Sequence, residues 1–468
     1  MNLTVKETDY YLYRDKIKGL IPSGLKAYVL TFGCQQNESD SEYVRGILSD
    51  LGYSITERDD EADIIIINTC AIRELAEKKV LSLLGRFKPM KKAKPSLIIG
   101  VIGCVAAEAH VVERLRRDFH YVTFTLMPNR LFELPRLIYN YLDGEERTFL
   151  LDNEENHVIE ALPRVRSEAL RAWVSIMYGC NNFCSYCIVP YTRGREHSRD
   201  SIEIINECKD LVSRGYKEIT LLGQNVNSYK SDLDFADLLR TIAEIPGDFI
   251  IRFMTSHPKD ATDKLIDVMA EYTPKIAPYF HLPLQSGSDT VLKAMNRRYN
   301  TERFLSVAKR LKEKIPGIAL STDIIVGFPG ETDEDFRGTL DILKEVKFDF
   351  VYAFIYSERV GTPAAKMENK VAKEIKSARI TELLAHQDEI ALDINKRLEN
   401  TVVTALVFGV KEKRGELFYE ARTLNNKLVH FKADRSYINQ FIKIKITRGA
   451  PYMLHGEPVF ESEDKNNE

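Results

Sequence analysis

The chain has no apolar run long enough to cross a bilayer. Its longest run, residues 97–107, is interrupted by glycines and is far shorter than the roughly 20 residues that a membrane-spanning helix needs. Residues 1–7 contain no basic segment followed by an apolar core, so we expect no secretory signal. These absences predict a cytoplasmic protein without a membrane partner, in which structural disulfides are not expected.

The chain also has no large excess of positive or negative charge. The 66 Lys and Arg residues nearly balance the 69 Asp and Glu residues, so the whole chain would not attract nucleic acid and any such contact must be local. A length of 468 residues exceeds the roughly 100–200 residues of one domain, which predicts several domains. The 44% hydrophobic and 29% charged residues are typical of globular proteins.

Three of the seven cysteines, Cys180, Cys184 and Cys187, lie in the segment C-N-N-F-C-S-Y-C. The second C-x2-C pair of many zinc sites is missing. Iron-sulfur clusters are normally held by four cysteines, so three would leave one iron open to an outside ligand. We favour an open iron-sulfur site over a zinc site or three ordinary buried thiols. Cys208 lies in the amphipathic run 202–212 and is expected to be a core thiol.

Three other cysteines each follow an apolar run rich in β-branched or aromatic residues. Helix-like stretches at 41–51 and 71–84 follow the first two runs, and this alternation predicts a parallel sheet. Ligands bind at the carboxyl edge of such sheets. Ordinary buried thiols are the alternative to a second cluster site there. The cysteines, with the runs that precede them, are Cys34 (28–33), Cys70 (64–69) and Cys104 (97–103).

The middle of the chain alternates six apolar runs with helix-like stretches. This pattern predicts a partial TIM-type (β/α)6 barrel, with functional groups at the carboxyl ends of its strands. Polar residues at those ends would suit a cofactor with carboxylate, amine and ribose groups, although each one alone is ordinary turn chemistry. His257 and His281 could be catalytic bases, but a lone histidine after a strand is more often a structural hydrogen bonder, which is what we expect here. The polar candidates are Gln224, Asn225, Ser256, Gln285, Ser286 and Asp323.

The C-terminal segment changes to alternating apolar and polar residues. Short strands at 401–408, 416–422, 427–432 and 441–447 predict a small all-β barrel. Residues 401–460 contain ten Lys or Arg against five Asp or Glu. Cations interleaved with Tyr437, Phe441 and Tyr452 suit phosphate contact and base stacking, with a solvated strand face as the alternative. The cations are Lys427, Lys432, Arg435, Lys443, Lys445 and Arg448. The basic stretch 86–92 is expected to be a solvated loop.

Four sequence strings carry a resemblance to a known family. The chain resembles the radical S-adenosylmethionine (SAM) methylthiotransferases and, within them, the MiaB type that acts on tRNA, through H-L-P-L-Q-S-G-S and T-D-I-I-V-G-F-P-G-E-T. Gln36 stands where the family usually has Met, and Ala107 where it often has Gln, so hydrogen bonding around the N-terminal cysteines is where this chain differs. The strings are T-F-G-C-Q-Q-N, N-T-C-A-I-R-E-L-A-E-K, G-C-V-A-A-E and Y-G-C-N-N-F-C-S-Y-C-I-V-P-Y-T-R-G-R-E-H-S-R.

The resemblance implies a domain order. It gives an N-terminal Rossmann-like methylthiotransferase domain with an auxiliary cluster (1–150), a linker (151–170), a radical SAM domain (171–392), a TRAM RNA-binding domain (393–460) and a disordered acidic tail (461–468). The cofactors would be SAM and two 4Fe-4S clusters, one held by each three-cysteine set. Gln224 and Asn225 would meet the methionyl part of SAM, Asp323 or Gln285 its ribose, and Tyr186 its adenine.

The resemblance also implies a reaction. The substrate would be N6-isopentenyladenosine next to the anticodon of tRNA, converted to its 2-methylthio form by a monomer with a reducing partner such as flavodoxin. The alternatives are threonylcarbamoyl-adenosine in tRNA or a ribosomal-protein aspartate as the substrate. In a different class, a non-catalytic iron-sulfur sensor would bind RNA without cleaving SAM.

Overall fold

The structure, a computed structural model, describes residues 5–70, 74–145, 147–150, 160, 162–413 and 416–459. The chain forms two compact units. The first contains the described part of Met1–Phe183 with Cys187–Ile204 and Leu222–Gln224. The second contains Cys184–Tyr186, Ile205–Leu221 and the described part of Asn225–Glu468. Within the described ranges, no helix has both the length and the apolar character needed to cross a membrane.

The N-terminal domain is a six-stranded parallel sheet in the order β2-β1-β3-β4-β5-β6, flanked by helices. The predicted parallel sheet is therefore confirmed. Its elements are α1 (Val5–Leu20), β1 (Lys26–Phe32), α2 (Gln35–Asp50), β2 (Ser54–Ile55), β3 (Ile64–Thr69), α3 (Glu74–Ala93), β4 (Ile98–Gly103), α4 (Ala109–Asp118), β5 (Phe124–Leu126), α5 (Leu134–Leu142) and β6 (Thr148–Phe149).

Strand β3 is buried on both faces of the sheet, as its unbroken apolar sequence requires. Ile64 and Ile66 face a core that includes residues of α1, α2 and α5. Ile65 and Ile67 face a second core that includes residues of α3 and α4. Because successive side chains of a strand point to opposite faces, one strand joins the two cores. The carboxyl end of β3 is therefore held firmly between them.

The central region alternates strands and helices as predicted. Strands β10 and β11 pair in parallel, and β12, β13 and β14 form a parallel sheet in chain order. The elements are β7 (Arg171–Ser175), β8 (Met177–Tyr178), α6 (Val189–Thr192), β9 (His197–Ser198), α7 (Ser201–Ser213), β10 (Glu218–Leu222), α8 (Phe235–Ala243), β11 (Ile250–Phe253), α9 (Asp263–Glu271), β12 (Tyr279–His281), α10 (Asp289–Ala294), α11 (Thr301–Lys314), β13 (Ala319–Val326), α12 (Asp333–Val346), β14 (Phe350–Ile355) and α13 (Lys373–Lys396).

The C-terminal region is a closed five-stranded barrel in the order β15-β16-β17-β19-β18. It confirms the predicted all-β barrel, and adds a fifth strand that the sequence pattern did not indicate. That strand pairs in parallel with β17 and antiparallel with β18, which closes the barrel. The strands are β15 (Val402–Lys413), β16 (Glu416–Thr423), β17 (Leu428–Lys432), β18 (Phe441–Gly449) and β19 (Leu454–Pro458).

Several boundaries differ from the sequence expectations. The basic stretch 86–92 belongs to α3, with Pro89 inside the helix, so the expected loop is wrong. Residues 71–73 of the expected helix, residues 151–159 and 161 of the expected linker, and the expected tail 461–468 lie outside the described residues. The described part of the expected linker packs on α2, where a side chain on Gly46 would meet the Pro163 carbonyl at 2.2 Å.

Two buried cations attach the C-terminal barrel to the central strands. Arg252 on β11 donates to Glu218 on β10 at 2.8 Å, and to the carbonyls of Thr423 and Leu424 at 2.9 Å each. Lys427 pairs with Asp349 at 2.5 Å, and both side chains are less than 10% exposed. Breaking a buried pair leaves an uncompensated charge, so these contacts fix the position of the barrel against the central strands.

We expect Lys427→Met to lower the free energy of unfolding by about 3–5 kcal/mol, because Asp349 would remain buried without its cation. The double variant K427M/D349N should recover most of this loss. Lys445, which is exposed on β18, provides the control: K445M should stay within about 0.5 kcal/mol of the parent. Urea unfolding followed by circular dichroism measures all three, and a K427M transition like the parent's would contradict the expectation.

Candidate functional site

The first three cysteines follow three neighbouring strands of the N-terminal sheet. The register pairs Phe32 with Thr69 and Thr69 with Gly103, so β1, β3 and β4 end side by side. Cys34, Cys70 and Cys104 come directly after these ends. The structure therefore brings these three cysteines, which we call the sheet-edge set, to one edge of the sheet.

The thiols of the sheet-edge set contact one another, with Cys70 in the middle. A hydrogen bond from Cys70 lowers the pKa of Cys34 to about 6 and that of Cys104 to about 7, and the positive charge of Arg193 acts in the same direction. The same hydrogen bonds to Cys104 and Cys34, together with burial, raise the pKa of Cys70. Two of the three sulfurs thus favour the thiolate form, which is the form that ligates iron.

Buried amides surround this edge. Asn37 Nδ2 donates to Asn68 Oδ1 at 3.0 Å, and Asn68 Nδ2 donates to the Asn37 carbonyl at 2.8 Å. Gly103 adopts φ +92°, and a Cβ there would lie 2.3 Å from Asn68 Oδ1. Glycine is therefore needed at the position before Cys104, both for the backbone angle and for the space.

The donor chemistry of the sheet-edge set fits an iron-sulfur cluster. Thiolates are the usual cluster ligands, and hydrogen bonds and exposure around their sulfurs set the cluster potential. Among the residues that the structure describes, no group of three His, Cys, Asp or Glu side chains is arranged so that it could hold a single metal ion. The three thiols contact one another instead, and soft sulfur ligands without carboxylates or imidazoles favour iron-sulfur chemistry over a hard cation.

The second set, Cys180, Cys184 and Cys187, lies in one short loop that we call the triplet loop. Cys184 is buried, and the other two cysteines are half-buried. The Cys180 N–H donates to the Gly194 carbonyl at 3.2 Å. Cys184 Sγ accepts a hydrogen bond from Arg297 Nη1 at 3.2 Å.

Two residues that were predicted to meet the cofactor each have a buried polar atom that lacks a partner in the described part of the chain. Asn225 Oδ1 and Ser256 Oγ make no hydrogen bond to any described residue, although both residues are at most 5% exposed. A buried polar atom without a partner costs about 1–3 kcal/mol. These atoms follow the neighbouring strands β10 and β11, and the Val226 N–H donates to the Thr255 carbonyl at 3.0 Å to hold the two segments together. They fit a ligand that donates hydrogen bonds, as an amine does.

The other predicted cofactor residues already have partners. Gln224 Oε1 accepts from the Gly179 N–H at 2.5 Å, and Ser286, which is fully buried, accepts from the Ser288 N–H at 3.3 Å. The Asp323 carboxylate lies 3.4 Å from His281 Nε2. Gln285 has φ +67°, and its N–H donates to the Asp323 carbonyl at 2.7 Å. A left-handed backbone costs energy in a residue other than glycine and is common at functional sites.

Tyr186 packs against an apolar cluster in the second unit. The ring is half-buried, and the cluster consists of Val291, Met295, Phe328, Tyr356 and Ala364. An aromatic ring beside apolar side chains is suited to stacking on a planar base. This surrounding supports the expected adenine contact, which remains a prediction.

The predicted cations of the C-terminal barrel differ in exposure. Lys443, Lys445 and Arg448 are exposed on β18, where the alternate residues Ile444 and Ile446 fill the barrel core. Lys432 is exposed and pairs with Glu416 at 2.6 Å, and exposed Arg435 donates to the Tyr437 hydroxyl at 2.8 Å.

Two expectations for the barrel need correction. Lys427 is 3% exposed and is held by Asp349, so its ammonium is not available to a phosphate. The Tyr437 ring lies in the barrel core and cannot stack on a base. Tyr452 is exposed, and its hydroxyl donates to Asp388.

Arg193 and Arg297 contact cysteine sulfurs and were missed by the sequence analysis. Arg193 Nε donates to Cys104 Sγ at 3.2 Å, and Arg297 Nη1 donates to Cys184 Sγ at the same distance. Arg193 belongs to the P-Y-T-R-G string after the triplet, and that string was the available signal. Arg297 lies far along the chain from Cys184, and nothing in the local pattern indicated its contact.

His257 is a structural residue, as expected. Its Nδ1 accepts from the Lys259 N–H at 3.2 Å, and its backbone N–H and carbonyl bond the Asn227 side chain at 2.9 and 3.0 Å. Burial, reinforced by the charge of Arg297, lowers the pKa of His257 to about 2. The imidazole is therefore neutral under ordinary conditions.

Comparison with known proteins defines the class of this fold and site. The Radical SAM superfamily matches residues 174–343, and the Uncharacterized protein family UPF0004 matches residues 26–126. The radical SAM methyltransferase TsrM from Kitasatospora setae, solved with cobalamin and a [4Fe-4S] cluster, aligns over 73% of this chain and 77% of its own. Its TM-score is 0.53 at 14% sequence identity, which shows a shared fold alone. The chain is thus a radical SAM enzyme.

Curated relatives identify the family. A tRNA-2-methylthio-N(6)-dimethylallyladenosine synthase from Desulforamulus reducens is 46% identical over 451 residues, covering 96% of this chain and 98% of the relative. The synthase of the same name from Alkaliphilus oremlandii is 48% identical over 440 residues, covering 93% of each chain. The chain belongs to the tRNA-2-methylthio-N(6)-dimethylallyladenosine synthases, a family of methylthiotransferases, which confirms the resemblance seen in the sequence.

The neutral state of His257 predicts a pH dependence of stability. An unfolded histidine has a pKa of about 6.5, so below that pH the unfolded chain binds a proton that folded His257 does not bind. Because of His257, the free energy of unfolding should therefore fall by about 1.4 kcal/mol for each pH unit below about 6.

His257→Asn tests this expectation, because Asn keeps a hydrogen-bond acceptor and cannot be protonated. Urea unfolding between pH 7 and 5 should show a shallower pH dependence in H257N than in the parent. H110Q, at an exposed histidine, should keep the parental dependence. An equal slope in H257N and the parent would show that His257 is protonated in the folded state.

Proposed function

We propose that this enzyme converts N6-isopentenyladenosine (dimethylallyladenosine) next to the anticodon of tRNA into its 2-methylthio form. The observation that carries the proposal is the presence of two separate three-cysteine sets in a member of this family. A non-catalytic sensor would not need both. The cofactors are SAM and 4Fe-4S clusters, as membership in the family implies.

We assign one cluster to each cysteine set. Cys180, Cys184 and Cys187 would hold the cluster that binds SAM, and the sheet-edge set would hold the auxiliary cluster. When bound, these groups supply the 5'-deoxyadenosyl radical and the sulfur. The protein's own residues would orient these groups: Arg297 donates to Cys184 Sγ, and the buried Asn225 and Ser256 oxygens would accept hydrogen bonds from the amino group of SAM.

The substrate base would lie against an aromatic face of the central sheet. Tyr352 and Phe354 on β14 are each 44% exposed, which is unusual for large rings on a sheet. The register places Tyr352 beside Asp323 and Phe354 beside Ile325, on the face that His281 also occupies. This face offers stacking surface for an adenine and apolar contact for an isopentenyl group, next to the proposed SAM site.

Other parts of the assignment follow from the substrate. Because tRNA is the substrate, we propose a cytoplasmic enzyme, acting as a monomer with a reducing partner such as flavodoxin. The domain bounds expected from the sequence are part of the same proposal, with the C-terminal barrel as a TRAM domain. Its RNA surface would comprise Lys432, Arg435, Lys443, Lys445 and Arg448, without Lys427.

Variants of the two cysteine sets should lose different products in an activity assay. Anaerobically reconstituted protein, given reductant, SAM and tRNA containing isopentenyladenosine, should yield a 2-methylthio nucleoside and 5'-deoxyadenosine by mass spectrometry. C180A should abolish both products, since the cluster that cleaves SAM is lost. C104A should keep 5'-deoxyadenosine and lose the methylthio product, since only the sulfur-carrying site is damaged.

C208A is the matched control, because Cys208 is fully buried on α7 and belongs to neither set. It should keep both products. If the parent makes 5'-deoxyadenosine without a methylthio nucleoside, the substrate assignment is wrong, and tRNA with threonylcarbamoyl-adenosine or the ribosomal protein should be tried. If neither product appears in fully iron-loaded protein, the sensor interpretation is favoured.

The RNA surface predicts a salt effect on binding. K443A/R448A should weaken tRNA binding and lower the slope of log K against log salt by about 0.7–0.9 for each phosphate that the variant no longer neutralises. Filter binding over a salt series measures both quantities. K309A, at an exposed lysine on α11 that pairs with Glu313, is the control and should bind like the parent. An unchanged slope in K443A/R448A would contradict the assigned surface.

A further inference from the structure

Arg193 is a buried cation aimed at the sheet-edge set. Its side chain is 5% exposed, and its Nε donates to Cys104 Sγ at 3.2 Å. The residue follows α6, shortly after Cys187, and it lies in the same compact unit as Cys104. Arg193, which follows the triplet loop in the sequence, thus donates to a cysteine of the sheet-edge set.

Asp40 on α2 fixes the guanidinium. Arg193 Nη2 donates to Asp40 Oδ2 at 2.7 Å, and the Asp40 side chain is also 5% exposed. Asp40 Oδ1 accepts from Gln36 Nε2 at 3.1 Å, and the same Gln36 nitrogen lies 2.9 Å from Ser175 Oγ. The carboxylate is therefore held by two donors, and the guanidinium keeps a single direction.

The planar shape of arginine gives this contact its geometry. Nη2 of the guanidinium donates to the carboxylate while Nε of the same plane points at the sulfur, which a lysine ammonium cannot reproduce. Arginine also stays charged, so the positive charge beside Cys104 is permanent. Because Asp40 balances it, the buried pair is neutral overall and the hydrogen bond to sulfur adds no unpaired buried charge.

We propose that Arg193 is a positioning residue that raises the reduction potential of the auxiliary cluster by donating a hydrogen bond to the Cys104 sulfur. The inference rests on the proposed cluster at the sheet-edge set. Hydrogen bonds to ligand sulfurs are one of the determinants of cluster potential. The Nε donor, with the cationic end of the Arg193–Asp40 pair nearest the sulfur, stabilises the extra electron of the reduced cluster, so removing this donor shifts the potential downward.

The experiment uses the full chain with C180A, C184A and C187A, so that a single cluster contributes to the signal. The midpoint potential is measured by a redox titration followed by electron paramagnetic resonance. R193Q/D40N removes the cation and its counter-charge together, which avoids an unpaired buried carboxylate. Its midpoint should be more negative than that of the triple-alanine parent. R195Q is the control, because Arg195 is exposed in the same segment and stacks over Phe183 at 5.3 Å; its midpoint should equal the parent's.

R193K provides an independent variant if R193Q/D40N does not fold. R193K keeps a cation beside Asp40 but loses the Nε donor. Its midpoint potential should therefore be more negative than that of the parent, by a smaller amount than in R193Q/D40N. Equal midpoints in the parent and in the folded Arg193 variants, at equal iron content, would overturn the inference and leave the proposed function intact. A triple-alanine parent that binds no iron would instead overturn the assignment of the sheet-edge cluster, and this inference with it.

Discussion

The parallel pairing of β1, β3 and β4 is the constraint on which the sheet-edge set depends. Parallel strands that pair in register end together, so the residues that follow Phe32, Thr69 and Gly103 must start from the same edge. The two apolar cores on either side of β3 hold that edge in place. Cysteines far apart in the sequence become neighbours through the backbone hydrogen bonds of these strands.

Buried ion pairs hold segments that are distant in the sequence against each other. Glu42 on α2 is fully buried and accepts from Arg164 Nη2 at 2.6 Å and from Arg166 Nη1 at 3.3 Å. Arg164 also donates to the Trp173 carbonyl at 2.7 Å, so the segment before β7 is tied to the N-terminal domain. Such pairs add little net stability but impose a specific arrangement, because any shift would leave a buried charge alone. These contacts hold the segment before β7 against α2.

The sequence predicted most of the fold because its signals are periodic and local. Alternating apolar runs indicated the strands, and cysteines after three of those runs indicated their common edge. The helix through 86–92 was missed because Pro89 normally disfavours a helix interior. Strand β19 was missed because its short sequence, L-H-G-E-P, has no apolar alternation, and its partners make it a strand.

The sequence predicted the candidate site only in part, because some of its contacts are long-range. Thiols ligate metals through their own chemistry, so their spacing in the sequence is informative. Long-range contacts leave no local pattern: neither the burial of Lys427 by Asp349 nor the contact of Arg297 with Cys184 could be read from neighbouring residues. A lysine in an alternating strand looks the same in sequence whether it faces solvent or a partner domain.

Gln36 is linked to the sheet-edge set through Asp40. Its Nε2 donates toward Asp40 and Ser175, while its Oε1 is buried and has no partner among the residues that the structure describes. That unpaired oxygen costs about 1–3 kcal/mol, so the residue is not there for stability alone. The bond from Gln36 occupies one oxygen of Asp40 and leaves the other for Arg193. With one carboxylate oxygen already engaged by Gln36, Asp40 holds the guanidinium in the orientation that directs Nε at Cys104.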